Sequence, residues 1–248
     1  MPKITSDLRY QIKLLPILGP ILESGWRRLT GRRDLCFTLM QSPLLSDNAC
    51  IVKIGANDGA AGDPIGQLLI RRPAMRCVFV EPVTHLLDRA RNIWGNSSRF
   101  TYVNAAINDG SPATFFYLDP LAREQLPNLE IDPDQLGSFD RMHILKHPGS
   151  ERLTPYIRSM HVKGMTLDTL LRYAQVNSLD LLHIDTEGWD WKILSQLDLD
   201  RWHPAHILFE HIHLAEIDKN SARNYLSACY NIEIYGTDWL CSRKTIVP

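Results

Sequence analysis

From Cys50 onward the sequence alternates short, β-branched apolar runs with amphipathic helical stretches, and most of the apolar runs stop at an acidic or amide side chain. Residues 50–54, 77–80, 100–104, 179–184 and 206–209 read as strands, with helical patterns between them. Such alternation builds βαβ units and a parallel sheet with helices on both faces. The carboxyl ends of parallel strands share one edge, and ligands of open α/β sheets sit there. Asn57 and Asp58, Glu81, Asn104, Asp185 and Glu187, and Glu210 with His211 therefore fall on a single rim.

Residues 65–70 form the first helical pattern, and the next places Leu86, Leu87, Ala90, Ile93 and Trp94 on one face. Residues 114–117 read as a short extra strand. A helix follows Thr166 or Asp168, either of which suits an N-cap. Another carries Trp189, Ile193, Leu194 and Leu197 inward. Residues 221–229 read as helix, then 232–235 and 240–246 as a closing strand pair. Residues 118–165 break the rhythm, being rich in proline, histidine and charge. A stretch this long inside a compact domain points to a functional, ordered insertion on the substrate side.

A chain of 248 residues holds one such domain, assigned to 49–248, with residues 1–48 as an N-terminal helical extension. A net charge of −1 gives no footprint for nucleic acid. Arg27, Arg28, Arg32 and Arg33 form a small basic cluster that reads as a solvated face. The apolar stretch 14–22 carries two prolines and a glycine and is too short to span a bilayer, which leaves peripheral membrane contact open. No convincing signal-peptide cleavage site follows it. Five scattered cysteines without a C-x-x-C pair suit a reducing, cytoplasmic setting.

Gly55-Ala56-Asn57-Asp58-Gly59 lets the backbone turn tightly against a ligand, but it is neither of the phosphate-cradling glycine patterns. Glu81, at the end of the second strand, is placed to accept hydrogen bonds from a ribose diol and would repel a 2′-phosphate. Together they fit an adenosine ligand without a phosphate requirement, S-adenosylmethionine before NADP, with NAD still open at this point.

Taken in order, several motifs resemble the FkbM family of S-adenosylmethionine-dependent methyltransferases. They are the Ile54–Gly59 turn with Asp63-Pro64, Val80-Glu81-Pro82-Val83, Asn104-Ala105-Ala106-Ile107, and the insertion's Gly137-Ser138-Phe139-Asp140-Arg141. Met165-Thr166-Leu167-Asp168, the run from Asp180 to Asp190, and Ile207 to His211 complete the set. The resemblance implies a class I, Rossmann-like, doubly wound sheet of seven mostly parallel strands with an antiparallel C-terminal strand. It further implies a cofactor along Gly55–Gly59, with Glu81 and Pro82 at its ribose and Asn104, Ala105 and Ala106 near its adenine. Asp185 would lie close to the sulfonium and the acceptor. S-adenosylhomocysteine would be the product, and O-methylation of a small natural product or glycan the default reaction.

A hydroxyl acceptor needs a base. Asp185, Glu210 and His211 are the catalytic candidates, with His211 ranked above His213 because it adjoins Glu210, and His183 read as a buried structural histidine. Ser138, His143 and Glu187 are the substrate-side candidates, and His147 neighbours them. Asp185, Glu187, Glu210 and a histidine also suit Mg²⁺ or Mn²⁺, but no spacing fixes a ligand geometry and no metal is expected. Lys53 stands where many methyltransferases carry an acidic residue, and a cation near a sulfonium is repelled. That departure supports an alternative, a catalytically weak methyltransferase-like binding or scaffold protein, unless strand alternation turns Lys53 away. Oligomeric state is not legible.

Overall fold

The computed structural model describes residues 35–60, 63–126, 129, 132–147 and 149–245. Its strands are β1 (Cys50–Ile54), β2 (Arg76–Val80), β3 (Phe100–Val103), β4 (Ala113–Leu118), β5 (Ile157–Val162), β6 (Leu181–Ile184), β7 (His206–Glu210), β8 (Tyr230–Tyr235) and β9 (Asp238–Arg243). Seven of them form one sheet in the order β3-β2-β1-β6-β7-β9-β8. All neighbours from β3 to β7 are parallel, and β9 alone runs antiparallel, between β7 and β8. This is the doubly wound sheet with one antiparallel C-terminal strand that the resemblance implies.

Every residue of β1 and β6 is buried, as expected for parallel strands covered on both faces. Strand alternation sorts their side chains into two cores. Val52, Ile54, Leu182 and Ile184 face one layer with α6 (Leu167–Tyr173) and α7 (Asp190–Leu194). Ile51, Phe79, Leu181 and Leu208 face the other, where α1 (Leu35–Gln41) and α2 (Pro64–Arg71) pack. Asp63 caps α2 by accepting from Ile65 N at 2.8 Å, and Pro64 takes the first turn, where its missing N–H costs nothing. Thr166, not Asp168, caps α6, its Oγ1 accepting from Thr169 N.

Three sequence expectations shift. In α3 (Thr84–Trp94), Leu86, Leu87 and Ala90 are buried but Ile93 is exposed; the helix packs on β2 and β3, and β3 is the sheet edge. The helix expected at 221–229 is α9 (Glu216–Leu226), which follows the short α8 (Leu199–Trp202). Only Ala222 and Leu226 of α9 are buried, so apolar periodicity marks just its second half, while Glu216 and Asp218 favour its N-terminal turn. The closing strands are a tight hairpin turning at Gly236 (φ +63°), with Tyr235 paired to Asp238.

Among the described residues, the insertion carries regular structure of its own. It adds α4 (Leu121–Gln125), α5 (Arg141–Leu145), short 3₁₀ turns and β5, which pairs back as a ribbon on β4 just before the insertion. Strand β5 escapes sequence pattern because only one side of the ribbon is covered, which leaves Arg158, Ser159 and His161 exposed between partly buried neighbours. Of the N-terminal extension, α1 is packed through Leu35, Cys36 and Leu39. The basic cluster and the apolar stretch 14–22 lie outside the described residues, as does Ile246. Among the described residues no helix is long and apolar enough to cross a membrane.

His206 fastens the start of β7 to its surroundings, with Nε2 2.7 Å from Ser42 Oγ and Nδ1 3.0 Å from Ser242 Oγ. Burial, then Arg243, pulls its pKa down to about 4. The unfolded chain binds this proton near pH 6.5 and the folded chain does not, so stability falls as pH drops through that window. In urea titrations, His206→Asn is expected to narrow the loss of stability between about pH 7 and about pH 5 by about 2 kcal/mol.

Candidate functional site

Strand order reverses between β1 and β6, which are neighbours although 130 residues separate paired positions such as Lys53 and His183. A cavity of about 260 Å³ opens above that point. Its floor depends on Gly55, whose φ of +74° suits glycine. A Cβ there would stand 1.7 Å from the Asp185 carbonyl oxygen. Gly55 N and Ala56 N both donate to Val80 O, at 3.0 and 2.9 Å, which ties the turn to the end of β2.

Glu81 closes one side. Its Oε2 accepts from Asn57 N at 2.9 Å and its Oε1 from Val83 N at 3.0 Å, so both oxygens are fixed while retaining acceptor capacity. Burial pushes its pKa up to about 7, against the opposing pull of those two donors and of Lys53. Asn57 adopts φ +49° and its Nδ2 donates to Asp134 O, which joins the turn to the insertion. Asp134 in turn pairs with Arg89 and Arg123, each at 2.8 Å.

Lys53 pairs with Phe79 and His183 in register, so it points to the face covered by α1 and α2. There its Nζ lies 2.8 Å from Asp63 Oδ2 and 3.2 Å from His183 Nδ1. Burial works against its charge, but Asp63 and Asp185 outweigh it, and the net shift is upward. His183 is held well below its ordinary value by burial and by Lys53. Its Nδ1 therefore accepts from Lys53, and its proton sits on Nε2.

At the opposite end, the chain leaves β6 through Asp185, Thr186, Glu187 (φ +54°) and Gly188 (φ +98°). Asp190 Oδ2 braces this turn, accepting from Thr186 Oγ1 and Gly188 N, both at 3.2 Å. Burial raises Asp185 to about 6, Glu187 to about 7 and Glu210 to about 10, the last helped by Asp185 and Glu187. Glu187 Oε2 lies 2.7 Å from His143 Nε2 and 3.3 Å from His213 Nε2. Glu210 Oε2 is 3.7 Å from His213 Nε2. The aromatic ring of Phe139 lies 4.4 Å from that of Trp189 and links the insertion to the same turn.

Of the residues expected at the cofactor, Gly55, Ala56, Asn57, Glu81, Pro82 and Asp185 line the cavity, as do Ala105 and Ala106. Three are set behind it. Asp58 is buried and accepts from Ala60 N. Gly59 O accepts from Trp94 Nε1. Asn104 Nδ2 donates to Glu81 O and Pro82 O, steadying the end of β2. Ser138 is buried in a backbone pairing with Phe116, while its neighbours Gly137 and Phe139 face the cavity. Glu187 and Glu210 line it.

His211 stacks on Trp239 and its Nδ1 meets Thr237 O at 2.5 Å. The turn closed by Leu214 N donating to His211 O brings His213, rather than His211, against Glu187 and Glu210. Sequence order cannot show this, because adjacency to Glu210 says nothing about a turn. Thr237, Asp238 and the wall at Pro133–Gln135 were also missed; they reach the cavity only through tertiary folding. Asp63 was legible as part of Asp63-Pro64, though its ion pair was not.

The chain matches the family described as the methyltransferase FkbM domain over residues 53–231. No curated protein matches it. Among solved structures, a fibrillarin/Nop5p complex superposes with a TM-score of 0.42 at 11% identity, covering 86% of this chain and 81% of that one. TrmK of M. capricolum, solved with S-adenosyl-homocysteine, gives 0.40 at 14% identity over 86% of this chain and 70% of that one. The S-adenosylmethionine-dependent methyltransferase SibL in its apo form gives 0.38 at 11% identity, over 98% and 64%.

Removing one partner of the Lys53–Asp63 pair strands a buried charge. Lys53→Met is expected to cost about 3–5 kcal/mol in urea unfolding. Adding Asp63→Asn, which keeps the Oδ1 cap on α2, should recover most of the loss.

Proposed function

Because the chain belongs to the FkbM methyltransferase domain family and is an S-adenosylmethionine-dependent methyltransferase, we propose that it transfers the methyl group to a hydroxyl oxygen of a small natural product or sugar. The cofactor lies along Gly55, Ala56 and Asn57, with its ribose on Glu81, its adenine toward Ala105 and Ala106, and its sulfonium toward Asp185. The observation that carries this placement is the Glu81 carboxylate, fixed by Asn57 N and Val83 N at the cavity wall. Each oxygen keeps a lone pair for a ribose hydroxyl, and oriented acceptors bind diols with geometric selectivity.

Bound S-adenosylmethionine supplies an electrophilic methyl group on a sulfonium. The chain's residues supply position, charge and a proton acceptor. Asp185 and Asp238, each titrating at about 6, give the cavity an acidic wall that favours a cationic ligand over a phosphorylated one. Asp185, at the end of β6 beside Gly55, is the base that takes the acceptor hydroxyl's proton as the new C–O bond forms. Glu187 and Glu210 orient the acceptor from the same side, and Phe139 with Gly137 borders it from the insertion. His211, held by Trp239 and Thr237, has no part in this arrangement. Lys53, the feature that favoured a non-catalytic binding module, has its charge answered by Asp63 and so gives that reading no further support.

The chemistry is tested by incubating the full chain with methyl-labelled cofactor and a panel of hydroxyl-bearing sugars and natural-product scaffolds. Products carrying a new O–CH₃ group by NMR are expected, and transfer only to nitrogen or carbon would overturn the acceptor class.

The ribose placement has its own signature. A carboxylate accepts hydroxyl hydrogen bonds better than a carboxylic acid, and Glu81 titrates at about 7. Affinity for S-adenosylhomocysteine by calorimetry is therefore expected to rise between about pH 6 and about pH 8. Glu81→Gln should weaken binding by about 1–3 kcal/mol at the higher pH and flatten the profile.

A further inference from the structure

Three imidazoles and two carboxylates from three separate parts of the fold converge beside the acceptor end of the cavity. His143 is on α5, and Lys146 keeps helical angles (φ −78°, ψ −14°), so His147 falls one turn later on the same face. Their Nε2 atoms are 3.4 Å apart. Glu187 comes from the turn after β6, and Glu210 with His213 from the end of β7. Glu187 Oε2 is 2.7 Å from His143 Nε2 and 3.3 Å from His213 Nε2, and Glu210 Oε2 is 3.7 Å from His213 Nε2. The ligand atoms of His143, His147 and Glu187 lie within 4.8 Å of one another, as do those of Glu187, Glu210 and His213.

Two of these separations are those of a tetrahedral edge, while His143–Glu187 at 2.7 Å is shorter and Glu210–His213 at 3.7 Å longer. Donors about 2.0–2.1 Å from a tetrahedral ion stand about 3.3–3.4 Å apart, and the His143–His147 and His213–Glu187 distances match that edge. The spacing of His143 and His147 is also the i, i+4 arrangement that places two imidazoles on one side of a metal.

We propose that His143, His147, His213 and Glu187, with Glu210 completing the shell, bind a divalent first-row transition metal ion. Imidazole-rich ligation selects zinc, cobalt, nickel or iron over magnesium and calcium, which prefer oxygen alone. Sequence offers no reason to expect a metal, since the turn after β7 and the helix of the insertion supply ligands that no local spacing reveals. Lys146 Nζ lies 3.4 Å from His213 Nδ1. Lys146 is exposed and contacts Nδ1, which leaves His213 Nε2 for the ion. The ion would pin the insertion to the ends of β6 and β7. Glu187 and Glu210 are shared with the acceptor end of the proposed methyl-transfer site, but the test involves neither cofactor nor acceptor, so its failure is distinct from failure of that reading.

The test uses the full chain, stripped with a chelator and dialysed. Calorimetry with Zn²⁺ should give one equivalent bound, with no competition from excess Mg²⁺. Co²⁺ should give the visible absorption of nitrogen and oxygen ligation without a thiolate charge-transfer band. His143→Ala with His213→Ala should weaken Zn²⁺ binding by about 100-fold or more, whereas His161→Ala, on exposed β5, should leave it unchanged. Folding of each variant is checked by circular dichroism. If the double variant does not fold, the Co²⁺ spectrum and metal-induced rise in Tm of the unmodified chain decide. No stoichiometric Zn²⁺ or Co²⁺ binding at micromolar concentration, a thiolate band, equal competition by Mg²⁺, or unchanged affinity in a folded double variant would each overturn the site.

Discussion

The parallel hydrogen bonds between β1 and β6 place two loops from distant parts of the chain in van der Waals contact. Asp185 N donates to Ile54 O at 3.0 Å, and Gly55 then passes so close to the Asp185 carbonyl that no side chain fits between them. Everything functional is arranged around that contact. On one side lie the glycine turn and Glu81, on the other Asp185, Glu187 and Glu210. The sheet's order reverses at this point, so helices diverge to opposite faces and leave a crevice that neither layer fills.

Electrostatics in that crevice are unbalanced toward negative charge. Burial raises Asp185 to about 6 and Glu81 and Glu187 to about 7, a cost that a folded protein tolerates where a cationic ligand offsets it, while Glu210 at about 10 stays protonated. Lys53 is the cation beneath them; it lines the cavity floor together with Asp63 and His183, and its charge is answered there by Asp63 at 2.8 Å. Alternation along β1 decides the direction and the α2 cap supplies the partner. The same Asp63 thus starts a helix with one oxygen and neutralises a buried lysine with the other.

The insertion is coupled to this centre through several unlike contacts. Asp134 meets Asn57 and two arginines, Phe139 meets Trp189, and His143 meets Glu187. The described residues of a segment with little helical or strand periodicity are therefore positioned by what they touch. Its own clusters, built on Leu118, Leu136 and Ile144 or on Phe115 with Val83 and Ala106, are small.

Much of the fold was legible because periodicity is a local property. The runs at 50–54 and 179–184 must be covered on both faces, Asp63-Pro64 must start a helix, and acidic residues at strand ends must share an edge. Strand β5 and the first half of α9 were not legible, since one-sided burial leaves them without an apolar pattern. The sequence by itself determined the class of sheet, the glycine turn, Glu81 and the acidic rim. Only the tertiary structure decided that Lys53 turns to Asp63, that His213 and not His211 faces Glu187, and that His143 and His147 close over the same point. Those outcomes depend on turns and on contacts between segments far apart in the chain, where no residue spacing carries the information.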